Sequence, residues 1–211
     1  MRFFFLIGLF IGFGLSSAQA QQAAPPPQGE GLTVKIPQGW VLAQQNILPQ
    51  QEEYWYTPNP EQPRTVGIEN YLLYSEFRGM GPVAPEVALG TTIENSSASC
   101  VGLEVGPVQK GLINNYQSAY VALVCPKEVQ APHPGRISVI LTIVGKESVY
   151  QVQKIWMTPS FEQGQSPIMN TEVQGWVRFM SNLKLCDTRD PAHPCASVST
   201  DDPFAPATPP Q

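Results

Sequence analysis

The chain has 211 residues and a formal net charge of −5 at pH 7, with 12 lysines and arginines against 17 aspartates and glutamates. A mildly acidic chain without a Lys/Arg cluster has no electrostatic footprint for nucleic acid or for anionic lipid. The length fits one ordinary domain with terminal tails.

Residues 1–20 have the pattern of a secretory signal peptide. Arg2 supplies a positive start, residues 3–15 form an apolar run, and residues 18–20 (Ala-Gln-Ala) fit a small-residue cleavage site. The apolar run is too short for a spanning helix, which needs ~20 apolar residues. The sequence therefore predicts a periplasmic or secreted protein with no membrane span after cleavage.

The rest of the chain divides into three parts by composition. Residues 21–30 contain three consecutive prolines, which favour polyproline II and predict an extended linker. Residues 31–195 predict a single disulfide-stapled α+β domain. Residues 196–211 are rich in Pro, Ala, Ser and Thr and have too few large apolar side chains to order themselves, which predicts a disordered tail.

The predicted domain opens with a strand at residues 32–36, where apolar and polar residues alternate. Pro37, Gly39 and Trp40 then form a turn motif directly after Ile36. A strand that ends in Ile-Pro-x-Gly-Trp, followed by further strands and a late helix, resembles the opening of the PsbP/Mog1-like fold. The resemblance implies an antiparallel sheet packed against helices. It implies a fold rather than one activity, because the group includes photosystem accessory proteins, a nuclear-transport factor and uncharacterised bacterial exported proteins.

Two further strands and a helix are predicted in the next part of the chain. Residues 53–56 are rich in aromatic residues and residues 65–74 alternate, as is typical of strands. Residues 85–97 predict a helix, since their first residue is a proline, which suits a first helical position. The adjacent Glu52 and Glu53 would face opposite sides of their strand, which argues against this pair as a glycosidase dyad.

Four cysteines lie in the predicted mature chain. An even number in an exported protein favours disulfides over free thiols, and four cysteines allow three connectivities. We predict the pairs Cys100–Cys125 and Cys186–Cys195, because each is the nearest partner in sequence. The strands that follow Cys100 and precede Cys125 would bring the first pair together if they ran antiparallel.

The clearest strand pattern is a hairpin over residues 136–157. Two β-rich runs flank a short turn led by Gly145. Side chains alternate across a strand, so each run presents one apolar face to a core. The first face comprises Ile137, Val139, Leu141 and Ile143. The second face comprises Tyr150, Val152 and Trp156, and it is interrupted by Lys154.

The clearest predicted helix covers residues 172–185. Thr171 and Gln174 fit a capping box at its start, in which the hydroxyl accepts from a backbone N–H and the amide reaches back. Its apolar residues recur at helical spacing and predict packing onto the sheet. They are Val173, Trp176, Val177, Met180 and Leu183. Together with the strands, this helix predicts an α+β fold, a mostly antiparallel sheet of about six or seven strands packed against a C-terminal helix.

No residue pattern predicts a catalytic site or a cofactor. The two histidines, His133 and His193, lie next to prolines in predicted loops, whereas a serine hydrolase needs a base held beside its nucleophile. No phosphate-binding loop, dinucleotide fingerprint or C-x-x-C motif is present. One group has metal-ligand chemistry, and its members are Cys186, Asp187, His193 and Cys195. Their spacing matches no standard zinc arrangement and export favours oxidation, so we predict a disulfide-closed loop and no metal site.

The leading functional hypothesis is an exported, non-catalytic accessory or binding domain that acts on another protein or on an envelope component. It depends on the missing catalytic motifs, the proline-rich ends and the fold resemblance. The C-terminal pattern Leu-Cys-Asp…His-Pro-Cys also resembles the tails of uncharacterised proteobacterial exported proteins. Two alternatives stay open, an envelope hydrolase whose carboxylates the spacing does not reveal and a metal-handling protein that uses the Cys186–Cys195 loop.

Overall fold

Twelve strands and two helices make up the part of the chain that a computed structural model describes, residues 29–61, 67–80, 82–130, 132 and 134–195. The strands are β1 (Glu30–Thr33), β2 (Trp40–Leu48), β3 (Gln51–Pro58), β4 (Glu69–Arg78), β5 (Cys100–Val101), β6 (Glu104–Val105), β7 (Gln109–Ile113), β8 (Tyr116–Cys125), β9 (Lys127–Glu128), β10 (Gly135–Val144), β11 (Ser148–Thr158) and β12 (Lys184–Asp187). The helices are α1 (Pro85–Ala98) and α2 (Asn170–Ser181). The predicted signal peptide, most of the predicted linker and the predicted tail lie outside the described residues, so those domain boundaries stay predictions.

Eight of these strands form one sheet at the centre of the fold, in the order β2-β3-β4-β11-β10-β8-β6, with β7 also paired to β8. All of its pairings are antiparallel. This confirms the predicted α+β class with a mostly antiparallel sheet. The six long strands account for the predicted number, and the short β6 and β7 raise it to eight.

The hairpin of β10 and β11 lies at the centre of this sheet. Its register pairs Ile137 with Trp156, so the apolar residues predicted to share a face do lie on one face. That face packs against α2 in the larger core cluster, which includes Trp176. The opposite face of β10 is buried as well, because Ile140 shares a second cluster with Leu89 of α1. The two helices therefore cover opposite faces of the sheet.

Helix α2 is shorter than predicted at its C-terminal end. It ends at Ser181 instead of residue 185, and the chain continues as β12, which pairs with β1. Leu183 and Leu185 are both buried in the core. Residues two apart share a face of an extended chain but not of a helix, so the spacing of this apolar pair fits a strand. The predicted last turn of the helix is therefore wrong.

The predicted capping box of α2 is also wrong. Met169 is the N-cap residue, and no side chain caps the first turn. Thr171 and Gln174 are exposed. Glu172 instead accepts a hydrogen bond from the indole nitrogen of Trp156 at 2.7 Å. This contact ties the first turn of the helix to the sheet.

The described fold also contains two small two-stranded sheets, β1 with β12 and β5 with β9, and each includes one cysteine of a disulfide. Cys100 and Cys125 have Cα atoms 5.7 Å apart, next to the pairing of β5 with β9. Cys186 and Cys195 have Cα atoms 5.0 Å apart, where β12 leads into the C-terminal loop. Neither α1 nor α2, the helices of the described part, has the length and apolar character that crossing a membrane requires.

Candidate functional site

Strand β2 is an open edge of the main sheet, since β3 is its one partner among the described strands. Its sequence contains no charged residue and no proline, and it is exposed from Leu42 to Leu48. An edge strand presents unpaired N–H and C=O groups, which proteins usually protect with charges, prolines or bulges. The one irregularity of β2 lies between Leu42 and Gln44. Residues 44–48, called the β2 edge below, follow it without such protection.

The Pro-x-Gly-Trp motif positions this strand. The N–H of Trp40 donates to the carbonyl oxygen of Pro37 at 3.1 Å and closes a turn in which Gly39 has φ +76°. Glycine adopts that conformation without strain. Trp40 then packs edge-to-face on Trp176 of α2, with ring centroids 5.5 Å apart. The start of β2 is thus anchored to the core, whereas its far end is exposed.

Two carboxylates converge beside the β2 edge. Glu52 on β3 lies directly opposite Glu76 on β4 in the strand register. Arg78 bridges them, with an ion pair to Glu52 and a second one to Glu76, in which Nε lies 3.4 Å from Oε1. The hydrogen bond to Glu52 is the main cause that raises the pKa of Arg78 above its ordinary value.

Hydroxyl groups complete the partners of this carboxylate pair. Tyr54 donates to Oε2 of Glu52 at 3.0 Å, and Ser148 donates to Oε1 of Glu76 at 2.9 Å. Burial raises the pKa of the Tyr54 phenol, so it stays a neutral donor. A glycosidase dyad needs room for a sugar between its carboxyl groups, whereas the Arg78 guanidinium bridges these two. The arrangement gives the hydrolase alternative no support.

A cavity of about 110 Å³ lies at the other half of the sheet, between β7, β8, β10 and α2. Its walls are largely apolar and include Leu112, Tyr120 and Met180. Ligand pockets usually enclose ~300–1,000 Å³. This cavity is therefore too small to enclose a substrate of that size.

The C-terminal loop contains the residues that the sequence grouped as metal ligands. Cys186 and Cys195 are joined to each other, so neither thiolate is available to an ion in this structure. Asp187 Oδ1 binds Nε of Arg189 at 2.9 Å, and this hydrogen bond is the main cause that lowers the pKa of Asp187. Within the described ranges no group of three or more His, Cys, Asp or Glu is placed to hold a metal ion.

His193 has a packing role in the same loop. Its ring stacks on Tyr116, with centroids 3.9 Å apart. Its Nδ1 lies 2.9 Å from the carbonyl oxygen of Asn114, in the turn between β7 and β8. The other histidine considered from the sequence, His133, lies outside the described residues.

The sequence reveals the groups of the C-terminal loop but not the carboxylate pair. Glu52 and Glu53 are neighbours in the chain and face opposite sides of β3, as predicted. Glu53 accepts a hydrogen bond from the side-chain amide of Gln51 at 2.8 Å. The partner of Glu52 is Glu76, on the next strand. That pairing depends on the register of β3 and β4, which a single sequence does not specify.

Solved structures similar to this chain include two of Mog1. A mutant of the protein Mog1 has 8% sequence identity and a TM-score of 0.42, over 72% of this chain and 85% of that chain. The Saccharomyces cerevisiae Ran-binding protein Mog1p has 9% identity and a TM-score of 0.42, over the same shares of 72% and 85%. No protein-family model and no curated protein sequence matches the chain. The likeness accords with the PsbP/Mog1-like resemblance of the opening motif and concerns the fold alone.

Proposed function

We propose that this chain is an exported, non-catalytic binding domain that adds an extended segment of a partner protein to its main sheet at the β2 edge. The observation that carries the proposal is the edge itself, which is exposed, uncharged and free of proline. Main-chain hydrogen bonds to such an edge supply affinity, and alternate side chains supply specificity. The partner is therefore a protein with an extended segment rather than a small molecule.

Charge next to the edge defines the chemistry of that segment. Glu52 lies opposite Ile47 in the register, and Glu53 lies opposite Asn46. A strand added outside β2 would lie two strand spacings, ~10 Å, from β3. A long cationic side chain and a glutamate span that distance together. Glu52 and Glu53 face opposite sides of β3, so the segment should carry Lys or Arg on both of its faces.

The N-terminal sequence and the cysteines both support export. Residues 1–20 have the pattern of a signal peptide. The four cysteines form two close pairs, and disulfides persist in oxidising compartments. The partner would then be a protein of the periplasm, the envelope or the cell exterior.

The test is a selection of displayed peptides of about ten residues, the length of a long strand, on the folded domain. We expect the selected peptides to carry Lys or Arg on both faces of the added strand and to protect the amides of the β2 edge from hydrogen exchange. Gln45→Lys combined with Ile47→Lys should weaken their binding at least about tenfold, or ~1.4 kcal/mol. Lysines on an edge oppose strand addition and repel a cationic segment.

Val87→Lys is the matched control, since Val87 is 62% exposed on α1. This variant should bind the peptides as the parent does. Equal binding by the edge variant and the parent, or protection confined to residues outside β2, would contradict the proposal. A dimer that forms at high concentration and is lost in the edge variant would assign the edge to a second copy of the chain instead.

A further inference from the structure

Lys154 lies in the core of the sheet and is 1% exposed. Three indole rings surround its amine, with Nζ 4.3 Å, 5.1 Å and 5.2 Å from their centroids. The rings belong to Trp156, Trp176 and Trp40. A lysine is almost never fully buried unless it is paired. The role of Lys154 therefore depends on the groups that surround its amine.

Burial of Lys154 disfavours its charged form. Burial lowers the pKa of Lys154 well below its ordinary value of 10.5, and the attraction of Glu172 opposes that shift without reversing it. A lysine side chain is a nucleophile as the free amine and not as the ammonium ion. The lowered pKa therefore makes the free amine more accessible at Lys154 than at an exposed lysine.

A side-chain amide contacts the amine. Nζ of Lys154 lies 2.6 Å from Oδ1 of Asn70 and 3.2 Å from the carbonyl oxygen of Ile155. The register of β4 and β11 pairs Asn70 with Trp156 and Leu72 with Lys154. Asn70 and Lys154 are therefore diagonal neighbours on one face of adjacent strands. Oδ1 is bonded to Cγ, the electrophilic carbon of the amide, so a nucleophile and an electrophile already lie side by side.

A carboxylate belongs to the same group. Oε1 of Glu172 accepts a hydrogen bond from Nε1 of Trp156 at 2.7 Å, and Nζ of Lys154 lies 4.3 Å from the centroid of that indole. Glu172 is exposed on its other side. The charge of Glu172 acts on the Lys154 amine across that indole. A carboxylate so placed can exchange protons with an attacking amine and a leaving nitrogen through one bridging water molecule.

We propose that Lys154 and Asn70 become joined by an intramolecular isopeptide bond that the folded domain forms by itself. Nζ attacks Cγ of Asn70, and a new C–N bond forms. Through one bridging water molecule, Glu172 accepts a proton from the attacking nitrogen and returns a proton to the amide nitrogen. The bond between Cγ and that nitrogen breaks, and one molecule of ammonia leaves. The product is a secondary amide, and no oxidant, reductant or cofactor is consumed.

Burial favours this internal reaction over a reaction with an outside molecule. Contact between the two groups turns a bimolecular step into a unimolecular one, and the burial of Lys154 among the indole rings keeps outside electrophiles from its amine. Asn70 is half-buried, so ammonia has a way out. The bond would tie β4 to β11 across 84 positions of the sequence. It would thereby lock the centre of the sheet to the strands that carry the β2 edge.

Peptide mapping of the folded full chain by mass spectrometry tests the proposal. We expect one peptide that joins the segment of Asn70 to the segment of Lys154 and is lighter than the two together by one ammonia. Trypsin should not cleave after Lys154. Mapping locates the loss, which separates it from cyclisation of an N-terminal Gln21, a reaction with the same change in mass. Unlinked peptides with an intact Asn70 and Lys154 from the folded parent would overturn the proposal.

Substitutions test the role of each residue in forming the bond. The peptide map of the parent tests whether the bond exists, so the proposal stays testable even if a variant fails to fold. Lys154→Arg and Asn70→Ala each remove one reacting group, and neither should give the linked peptide. Glu172→Gln keeps both groups, and its link should form at least about a hundredfold more slowly after refolding, with an unchanged circular dichroism spectrum. Glu94→Gln, exposed on α1, should link at the rate of the parent. An unchanged rate in Glu172→Gln would overturn the proton transfer assigned to that carboxylate.

Discussion

At the scale of single residues, Asp187 connects parts of the chain that are far apart in sequence. It accepts hydrogen bonds from the backbone N–H and from Nε of Arg189, both at 2.9 Å. Arg189 also binds Glu147, in the turn between β10 and β11, at 2.7 Å. Glu30 of β1 accepts from the N–H of Lys146 in the same turn at 2.6 Å. These charged residues tie the C-terminal loop and β1 to the central hairpin.

Asp187→Asn should remove a pH-dependent part of the stability. The pKa of Asp187 is lowered from its ordinary value of 3.8, chiefly by the hydrogen bond with Arg189. A carboxyl group with a lowered pKa in the folded state stabilises the fold above the unfolded-state pKa, and this contribution is lost as pH falls through the folded-state pKa. The free energy of unfolding of the parent should exceed that of the variant at neutral pH, and the difference should shrink below pH 3.8.

Urea unfolding of the parent and the variant over a series of pH values measures this difference. Repeating the neutral measurement at high salt is an internal control, because salt screens the exposed part of an ion pair and should reduce the difference. A difference that stays constant from neutral to acidic pH would contradict titration of Asp187 as its cause.

At the scale of elements, two glycines differ in the space around them. Gly135 has no room for a side chain, whereas Gly90 has. Gly135 begins β10, where an added Cβ would lie 2.6 Å from Cε1 of Phe161 and 2.7 Å from Oγ1 of Thr158. Gly90 lies within α1, where no atom comes within 4 Å of an added Cβ. Gly135→Ala should lower the free energy of unfolding by ~1–3 kcal/mol. Gly90→Ala should raise it by ~0.5–1 kcal/mol.

Each glycine variant is the control for the other. Both substitutions add one methyl group and restrict the unfolded chain in the same way, so their difference reports the folded environment. Urea unfolding with unchanged slopes measures both values. A gain of stability in Gly135→Ala would contradict the close approach of Phe161, and a loss in Gly90→Ala would contradict open space beside α1.

The long elements of this fold could be predicted from local sequence, whereas some of their ends could not. The alternating residues around Gly145 identify β10 and β11, and the predicted helix that starts at Pro85 ends one residue later than expected, at Ala98. The end of α2 depends on β1, at the other end of the domain. Leu183 continues the helical spacing of α2, whereas Leu183 and Leu185 together fit a strand, so the two periodic patterns overlap where the helix ends.

The candidate sites depend on strand order and register, which are tertiary properties. The sequence shows that residues 44–48 lack charge, but only the order of strands makes them an edge. It also shows that Lys154 interrupts an apolar face. The partners of that lysine come from β2, β4 and α2 as well as from β11, and no local pattern brings them together.

At the scale of the whole molecule, the helices cover the centre of the sheet and leave the far end of its β2 margin exposed. Helix α1 contacts β8 and β10, and α2 contacts β10. Strand β2 lies at the opposite margin, and its residues are exposed on both faces from Leu42 onward. The proposed strand addition would use this exposed margin.

Export of the chain should leave a mature protein that begins at Gln21 and carries both disulfides. Residues 1–20 end in the small-residue pattern that directs cleavage. The two cysteine pairs have Cα separations of 5.7 Å and 5.0 Å, which a disulfide can bridge. Non-reducing peptide mapping of the protein recovered from the periplasm measures the N-terminus and the cysteine pairing in one experiment.

The matched control for export is a chain that begins with Met directly before Gln21 and stays in the cytoplasm. A reducing compartment should leave its cysteines as thiols. Because the fold already brings each pair together, these thiols should close to the same two bridges on air oxidation, without a change in circular dichroism. An exported protein that retains residues 1–20 would contradict cleavage. Free Cys186 and Cys195 in the exported protein would contradict the bridge and return both thiolates to the metal-handling hypothesis.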